Sequence, residues 1–119
     1  MGRKLILCID NRATQAEVRK LLLECEGHRV LMASSGRAGL TLFSIRAVDL
    51  VLLDYDTRRL NAVSVAARMR DLKPDVPIIV ISHHSRPPKR MQGLADAYIS
   101  KGEHPYVLLE RIHRLLTQT

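Results

Sequence analysis

The sequence predicts an α/β domain in which helices cover both faces of a five-stranded parallel sheet. Two observations support this fold class: five short apolar segments recur along the chain, and segments of helix length and helical periodicity separate them. Strands joined through helices need right-handed crossovers, which place the strands parallel in one sheet. The chain has 119 residues, of which 46% are hydrophobic, so a single domain over residues 1–119 is expected.

Each predicted strand is a short run of branched apolar residues bounded by polar or turn-forming residues. The most apolar run ends abruptly at Asp54, as a strand buried on both faces would. The five predicted strands are Leu5–Ile9, Arg29–Ala33, Val48–Leu53, Pro77–Ile81 and Ala97–Ser100.

The first two helices are predicted from their apolar periodicity and from the residues at their ends. Gly27 stands where a left-handed residue would end the first helix, and Ser34 or Ser35 can cap the second. The predicted inward residues are Val18, Leu21, Leu22 and Cys25 in the first helix, and Ala38, Leu42 and Ile45 in the second.

Three further helical segments complete the alternation. A third helix is predicted over Asn61–Leu72, ended by Pro74, and a short fourth helix follows the turn that contains Pro87 and Pro88. The last helix begins near Pro105. Its predicted inward residues are Leu108, Leu109, Ile112, Leu115 and Leu116.

Composition narrows the class of protein. The formal net charge of +7 suits an acidic partner or nucleic acid, but it is also compatible with a solvated basic surface. One Phe, three Tyr and no Trp leave few residues for base stacking, which argues against a nucleic-acid partner. No apolar run has the length of a membrane span or the form of a signal peptide, so the protein is predicted to be cytoplasmic. Cys8 and Cys25 lack metal-ligand spacing and are interpreted as small buried apolar residues.

Polar residues with complementary chemistry follow four of the predicted strands: Asp10, Asp54, Ser82 and Lys101. Ligands of open α/β sheets bind beyond the carboxyl ends of the strands, so these side chains are expected to meet at one edge. Two carboxylates held close together favour a bound cation, and oxygen ligands suit Mg²⁺. An ammonium and a hydroxyl can neutralise phosphoryl oxygens while a carboxylate acts as nucleophile. The set therefore predicts a phosphoryl-transfer site.

Four stretches resemble the receiver domain of bacterial two-component signalling, which has a flavodoxin-like fold: residues 7–11, 49–54, 77–82 and 95–101. The resemblance covers Lys4 to Leu116 and implies the strand order 2-1-3-4-5. It also implies that Asp54 is the phosphoacceptor, supplied by a histidine kinase or a small phosphodonor. By the same resemblance, Ser82 and Tyr98 form the switch, and they alter the surface made by the fourth helix, the fifth strand and the fifth helix.

The resemblance also implies a Mg²⁺ site formed by Asp10, Asn11, Asp54 and Asp56. The family usually has a second acid where this chain has Asn11, so weaker metal binding is expected, with Asp56 as partial compensation. The family's Met-Pro is replaced by Thr57-Arg58, and its small residue after the hydroxyl by His83. Basic residues are predicted to form a rim around the site: Arg58 and Arg59 beside His83, with Arg86, Lys89 and Arg90 in the next loop.

These observations predict a stand-alone signalling module that is switched by phosphorylation and binds a downstream protein. It is not expected to be an enzyme beyond its own phosphoryl transfer and dephosphorylation. The alternative is a degenerate receiver that binds partners constitutively without phosphorylation. The interpretation also leaves a homodimer open. A flavin-binding protein of similar topology is disfavoured because residues 11–15 do not form a phosphate-binding loop rich in Ser, Thr and Gly.

Overall fold

Strands and helices follow one another in the predicted order in the computed structural model, which describes residues 3–56 and 61–118. The strands are β1 Leu5–Ile9, β2 Arg29–Ala33, β3 Leu50–Asp54, β4 Ile78–Ser82 and β5 Ala97–Ser100. The helices are α1 Ala13–Cys25, α2 Gly36–Ile45, α3 Ala62–Leu72 and α4 Pro105–Thr117, with a 3₁₀ turn at Lys89–Met91.

The five strands form one parallel sheet in the order β2-β1-β3-β4-β5, which confirms the predicted architecture. The register brings the carboxyl ends of the strands level, because Ile9 pairs with Leu53, Asp54 with Ile81 and Ser82 with Ser100. The strand order reverses between β1 and β3, because β2 lies on one side of β1 and the later strands on the other. The polar residues at the strand ends are thereby gathered along one edge of the sheet.

Apolar side chains of alternate strand residues pack on opposite faces of the sheet. Leu5, Leu7 and Ile9 belong to the core that α2 and α3 cover. Ile6 and Cys8 belong to the core that α1 and α4 cover. Burial raises the pKa of the Cys8 thiol to about 12, so this cysteine behaves as a small apolar residue, as predicted.

The inner face of α1 differs from the predicted one. Ala16 and Leu23 are buried, whereas Val18 and Leu21 are 65% and 64% exposed and Cys25 is also exposed. The helix carries apolar residues on more than one stripe. The stripe that packs on the sheet includes Arg19, whose charge makes it the less apparent one in the sequence. The predicted end of the helix is confirmed: Gly27 has a φ of 90°, and its amide donates to the Glu24 carbonyl.

The inner face of α2 is formed by Gly39 and Phe43 rather than by Ile45. A Cβ at Gly39 would lie 2.5 Å from Ile9 Cδ1, so glycine lets the helix approach β1 closely. Ile45 follows Phe43 by two positions, about 200° around the helix, and is 70% exposed. The predicted cap is confirmed at Ser35, whose side chain accepts a hydrogen bond from the Ala38 amide at 3.1 Å.

The crossover between β4 and β5 contains the 3₁₀ turn at Lys89–Met91 in place of the predicted short fourth helix. Pro88 enters the turn in an extended conformation and cannot donate a backbone hydrogen bond. Gln92, with a ψ of 134°, is extended and ends the turn, and Gly93 follows with a φ of 83°. Among the residues that the structure describes, no helix combines the length and the apolar character needed to cross a bilayer.

Candidate functional site

Three polar residues are fully buried within the described part of the chain, and all three lie at the carboxyl edge of the sheet. Asp10 follows β1, Asp54 ends β3 and Ser82 ends β4, with exposed fractions of 3%, 1% and 0%. Burying carboxylates is costly unless they are paired. This edge is therefore the place in the fold where the sequence departs most clearly from a simple apolar core.

Lys101 brings a cation from the end of β5 to two of the acids. Its Nζ lies 2.8 Å from Asp54 Oδ2 and 3.1 Å from Asp56 Oδ2, and its side chain is 9% exposed. Its backbone amide donates to the Ser82 carbonyl at 2.7 Å, which fixes where the side chain begins. Asp54 Oδ1 accepts the Asp56 amide, and the buried Oδ2 has the ionic contact with Lys101 but no further partner among residues 3–56 and 61–118.

Asp56 engages donors that surround the same position. Its Oδ1 accepts the Ser82 hydroxyl at 2.8 Å, and its Oδ2 accepts the His83 amide at 2.7 Å. Burial opposes ionisation of Asp56, but hydrogen bonds from Ser82 and His83 and the hydrogen bond and charge of Lys101 outweigh it and lower the pKa of the carboxyl. The Asp56 carboxylate is thus stabilised as an anion by a hydroxyl, an amide and an ammonium.

A short chain of hydrogen bonds connects Ser82 with Tyr98. The His84 amide donates to Ser82 Oγ at 3.1 Å, and the Tyr98 hydroxyl donates to the His84 carbonyl at 2.8 Å. The two residues predicted as the switch are therefore joined through the peptide groups of a single residue. The hydroxyl groups of Ser82 and Tyr98 are thus both bound to the backbone of His84.

Asp10 is paired with a cation that the sequence interpretation missed. Its Oδ2 lies 3.1 Å from Nη1 of Arg19, and its Oδ1 accepts the Arg12 amide at 2.8 Å. A sequence signal for Arg19 exists, because Ala16, Arg19 and Leu23 share one helical face and a charged residue on a buried face needs a partner. The predicted ligand Asn11 is exposed.

The predicted rim is partly described by the structure. The His83 side chain is 61% exposed, and its Nε2 lies 3.9 Å from Asp56 Oδ2. Arg58 and Arg59, with Thr57, lie outside the described residues. Arg86, Lys89 and Arg90 are exposed in the loop after β4. A cavity of about 390 Å³ opens beside the site between α1 and α4, lined in part by Arg19, His83 and Lys101.

A family model that covers most of the chain decides which family it belongs to. The profile of the response regulator receiver domain matches residues 6–113. The chain belongs to the response regulator receiver family. This receiver is 31% identical over 124 residues to the phosphate regulon transcriptional regulatory protein PhoB of Pseudomonas aeruginosa, covering 100% of the chain and 54% of that protein. It is 29% identical over 117 residues to the cell cycle transcriptional regulator CtrA of Caulobacter vibrioides, covering 96% of the chain and 51% of that protein.

Solved receiver structures have the same fold. A CheY-like receiver domain protein of Methanospirillum hungatei superposes with a TM-score of 0.89 at 26% identity, covering 97% of this chain and 94% of that one. The response regulator TrrA of Thermotoga maritima, in complex with Mg²⁺–BeF, gives a TM-score of 0.87 at 30% identity, covering 94% and 98%. The receiver spans about half the length of the curated relatives named above. Receivers of this family are signalling modules of two-component systems rather than classical enzymes.

The lowered pKa of Asp56 makes part of the receiver's stability depend on pH. A carboxyl whose pKa falls on folding stabilises the folded protein at pH values above its pKa in the unfolded chain, ordinarily 3.8. This contribution is lost as the pH falls through the lower pKa of the folded protein. We expect wild-type protein to lose more free energy of unfolding than Asp56→Asn between pH 7 and pH values below 3.8. Urea unfolding of both proteins with EDTA present measures this difference. Equal losses would contradict the stabilised Asp56 carboxylate.

Proposed function

We propose that this receiver accepts a phosphoryl group on Asp54 and passes the change to a protein partner through Ser82 and Tyr98. The observation that carries the proposal is the burial of Asp54 at the end of β3, with its Oδ2 2.8 Å from the Lys101 ammonium. A carboxylate in that position is held at the strand end with its charge partly neutralised by the ammonium. These are the properties that a nucleophilic carboxylate needs.

The residues around Asp54 have distinct roles in this proposal. An Asp54 oxygen forms the new bond to phosphorus, and the bond between phosphorus and the donor's acetate oxygen or histidine nitrogen breaks with release of the donor. Lys101 and the Ser82 hydroxyl then bind oxygens of the transferred phosphoryl group. Asp56 holds both donors before transfer, at 3.1 Å and 2.8 Å, so it has to release them. A histidine kinase or a small phosphodonor such as acetyl phosphate supplies the group.

The oxygen donors at this edge have the chemistry of a Mg²⁺ site. Asp10 and Asp54 contribute carboxylates, and the site that we propose adds Asn11 and Asp56. When bound, Mg²⁺ supplies positive charge to the phosphoryl oxygens. Asn11 contributes a neutral amide oxygen in place of a carboxylate, which lowers the affinity of the site for the ion.

The surface that changes in our proposal lies around Tyr98. Its hydroxyl is bound to the His84 carbonyl, and the His84 amide is bound to Ser82 Oγ, so rearrangement of Ser82 reaches Tyr98 through two hydrogen bonds. Tyr98 lies in β5, which follows the 3₁₀ turn and precedes α4 in the chain. Because a single 3₁₀ turn stands in place of the predicted fourth helix, the face offered to a downstream protein is formed by that turn, β5 and α4.

Phosphorylation is tested by incubating the protein with Mg²⁺ and acetyl phosphate and measuring its intact mass. We expect wild type to gain the mass of one phosphoryl group and Asp54→Asn to gain none, because the amide is not a nucleophile. The exposed Asp75→Asn serves as the matched control and should be modified like wild type. Failure of wild type to react, or reaction of Asp54→Asn, would disprove the proposal.

A further inference from the structure

We propose that the Arg19 guanidinium is the resident counter-cation of Asp10, and that a divalent metal has to displace it in order to bind. The inference rests on the proposed function, since it concerns how the same site acquires its cation. The juxtaposition that carries it is Nη1 of Arg19 3.1 Å from Oδ2 of the buried Asp10.

Burial makes this contact different from a surface ion pair. The Asp10 side chain is 1% exposed and that of Arg19 is 14% exposed, so neither charge is well solvated. Removing one partner of such a pair leaves an uncompensated buried charge, whereas exposed pairs contribute little. Asp10 needs a cation in this environment, and the chain itself provides one.

Both carboxylate oxygens of Asp10 are engaged within the protein. Oδ2 contacts Arg19, and Oδ1 accepts the Arg12 amide at 2.8 Å. A metal ion that takes Asp10 as a ligand therefore exchanges an existing favourable contact for a new one. The free energy of metal binding is therefore less favourable by the free energy of the contact that is lost.

The position of Arg19 in α1 supports a role in the site. Ala16 and Leu23, three positions before it and four after it, are buried against the sheet, so the backbone directs position 19 inward. The Arg19 side chain also lines the cavity between α1 and α4 together with Lys101. The guanidinium lies at the site because its helix face places it there.

The remaining acids of the edge already have an internal cation as well. Lys101 lies 2.8 Å from Asp54 and 3.1 Å from Asp56. With neutral Asn11 in addition, the site is closer to internal charge balance than one formed by three unpaired carboxylates.

The inference is tested by Mg²⁺ titration of Arg19→Met, with amide NMR shifts of the strand-end residues as the readout. We expect Mg²⁺ to bind Arg19→Met about tenfold more tightly than it binds wild type, a change within the usual range of coupling between two ligands. Mg²⁺ should also raise the Tm of Arg19→Met more than that of wild type, because the metal then neutralises Asp10. Lys20→Met removes the same charge from the next residue of α1, and it should leave the affinity near the wild-type value.

Equal Mg²⁺ affinity in wild type and Arg19→Met would overturn the inference, as would equal tightening in Lys20→Met. If the Met variant does not fold, Arg19→Gln removes the charge while keeping a donor, and the same tightening is expected. If wild type is phosphorylated but the Arg19 variants bind Mg²⁺ no more tightly, only this inference is contradicted. If the Arg19 variants bind Mg²⁺ more tightly but wild type accepts no phosphoryl group, only the proposed function is contradicted.

Discussion

Replacing Lys101 with Met is expected to lower the free energy of unfolding by about 3 kcal/mol, since breaking a buried ion pair leaves an uncompensated charge. The Lys101 ammonium lies 2.8 Å from Asp54 Oδ2 and 3.1 Å from Asp56 Oδ2. Without it, the carboxylates of Asp54 and Asp56 both lose this positive charge at the edge of the sheet. Urea unfolding at neutral pH with EDTA present measures the loss.

The electrostatic origin of this loss is tested by a second substitution. Asp54→Asn in the Lys101→Met background removes one of the two carboxylates, so it should recover at least about 1 kcal/mol of the lost free energy. In the wild-type background the same Asp54→Asn change removes an ionic partner of Lys101, so it should not raise the free energy of unfolding. A Lys101→Met loss under about 0.5 kcal/mol, the size of an ordinary surface substitution, would contradict the argument.

The residues at the strand ends could be predicted from the sequence because chain order and strand polarity fix them. Asp10, Asp54, Ser82 and Lys101 each follow or end a parallel strand, and parallel strands bring those ends to one edge. The roles assigned to them remain proposals. What the sequence could not provide is which side chains from other elements reach the edge, since this depends on the rotation of α1 about its own axis.

That rotation explains both the missed cation and the misassigned helix face. With Val18 and Leu21 assumed to point inward, Arg19 would point away from Asp10. The helix instead buries the stripe that contains Ala16 and Leu23, and Arg19 comes with them. The wrong prediction of which face of α1 packs on the sheet is therefore also the reason why the ion pair was missed. Periodicity counts apolar residues, so it cannot show that a face with a buried ion pair is more stable than a more apolar face.

Phe43→Ala is expected to lower the free energy of unfolding by about 4 kcal/mol, because it removes a large buried ring and leaves a cavity in the core. Phe43 is fully buried in the cluster that α2 and α3 form with the sheet. The Lys73 ammonium lies 5.1 Å from the ring centroid and donates to the Phe43 carbonyl at 2.6 Å, so the ring also contributes a cation–π contact at the end of α2. Urea unfolding measures the total.

Ile45→Ala on the same helix provides the matched control, and it distinguishes the observed helix phase from the one predicted by the apolar pattern. Ile45 is 70% exposed, so truncating it should change the free energy of unfolding by less than about 0.5 kcal/mol. Had α2 buried the row containing Ile45, the two truncations would have costs of similar size. A large loss for Ile45→Ala beside a small one for Phe43→Ala would contradict the packing of α2, because an apolar side chain contributes only when its helix face turns it away from water.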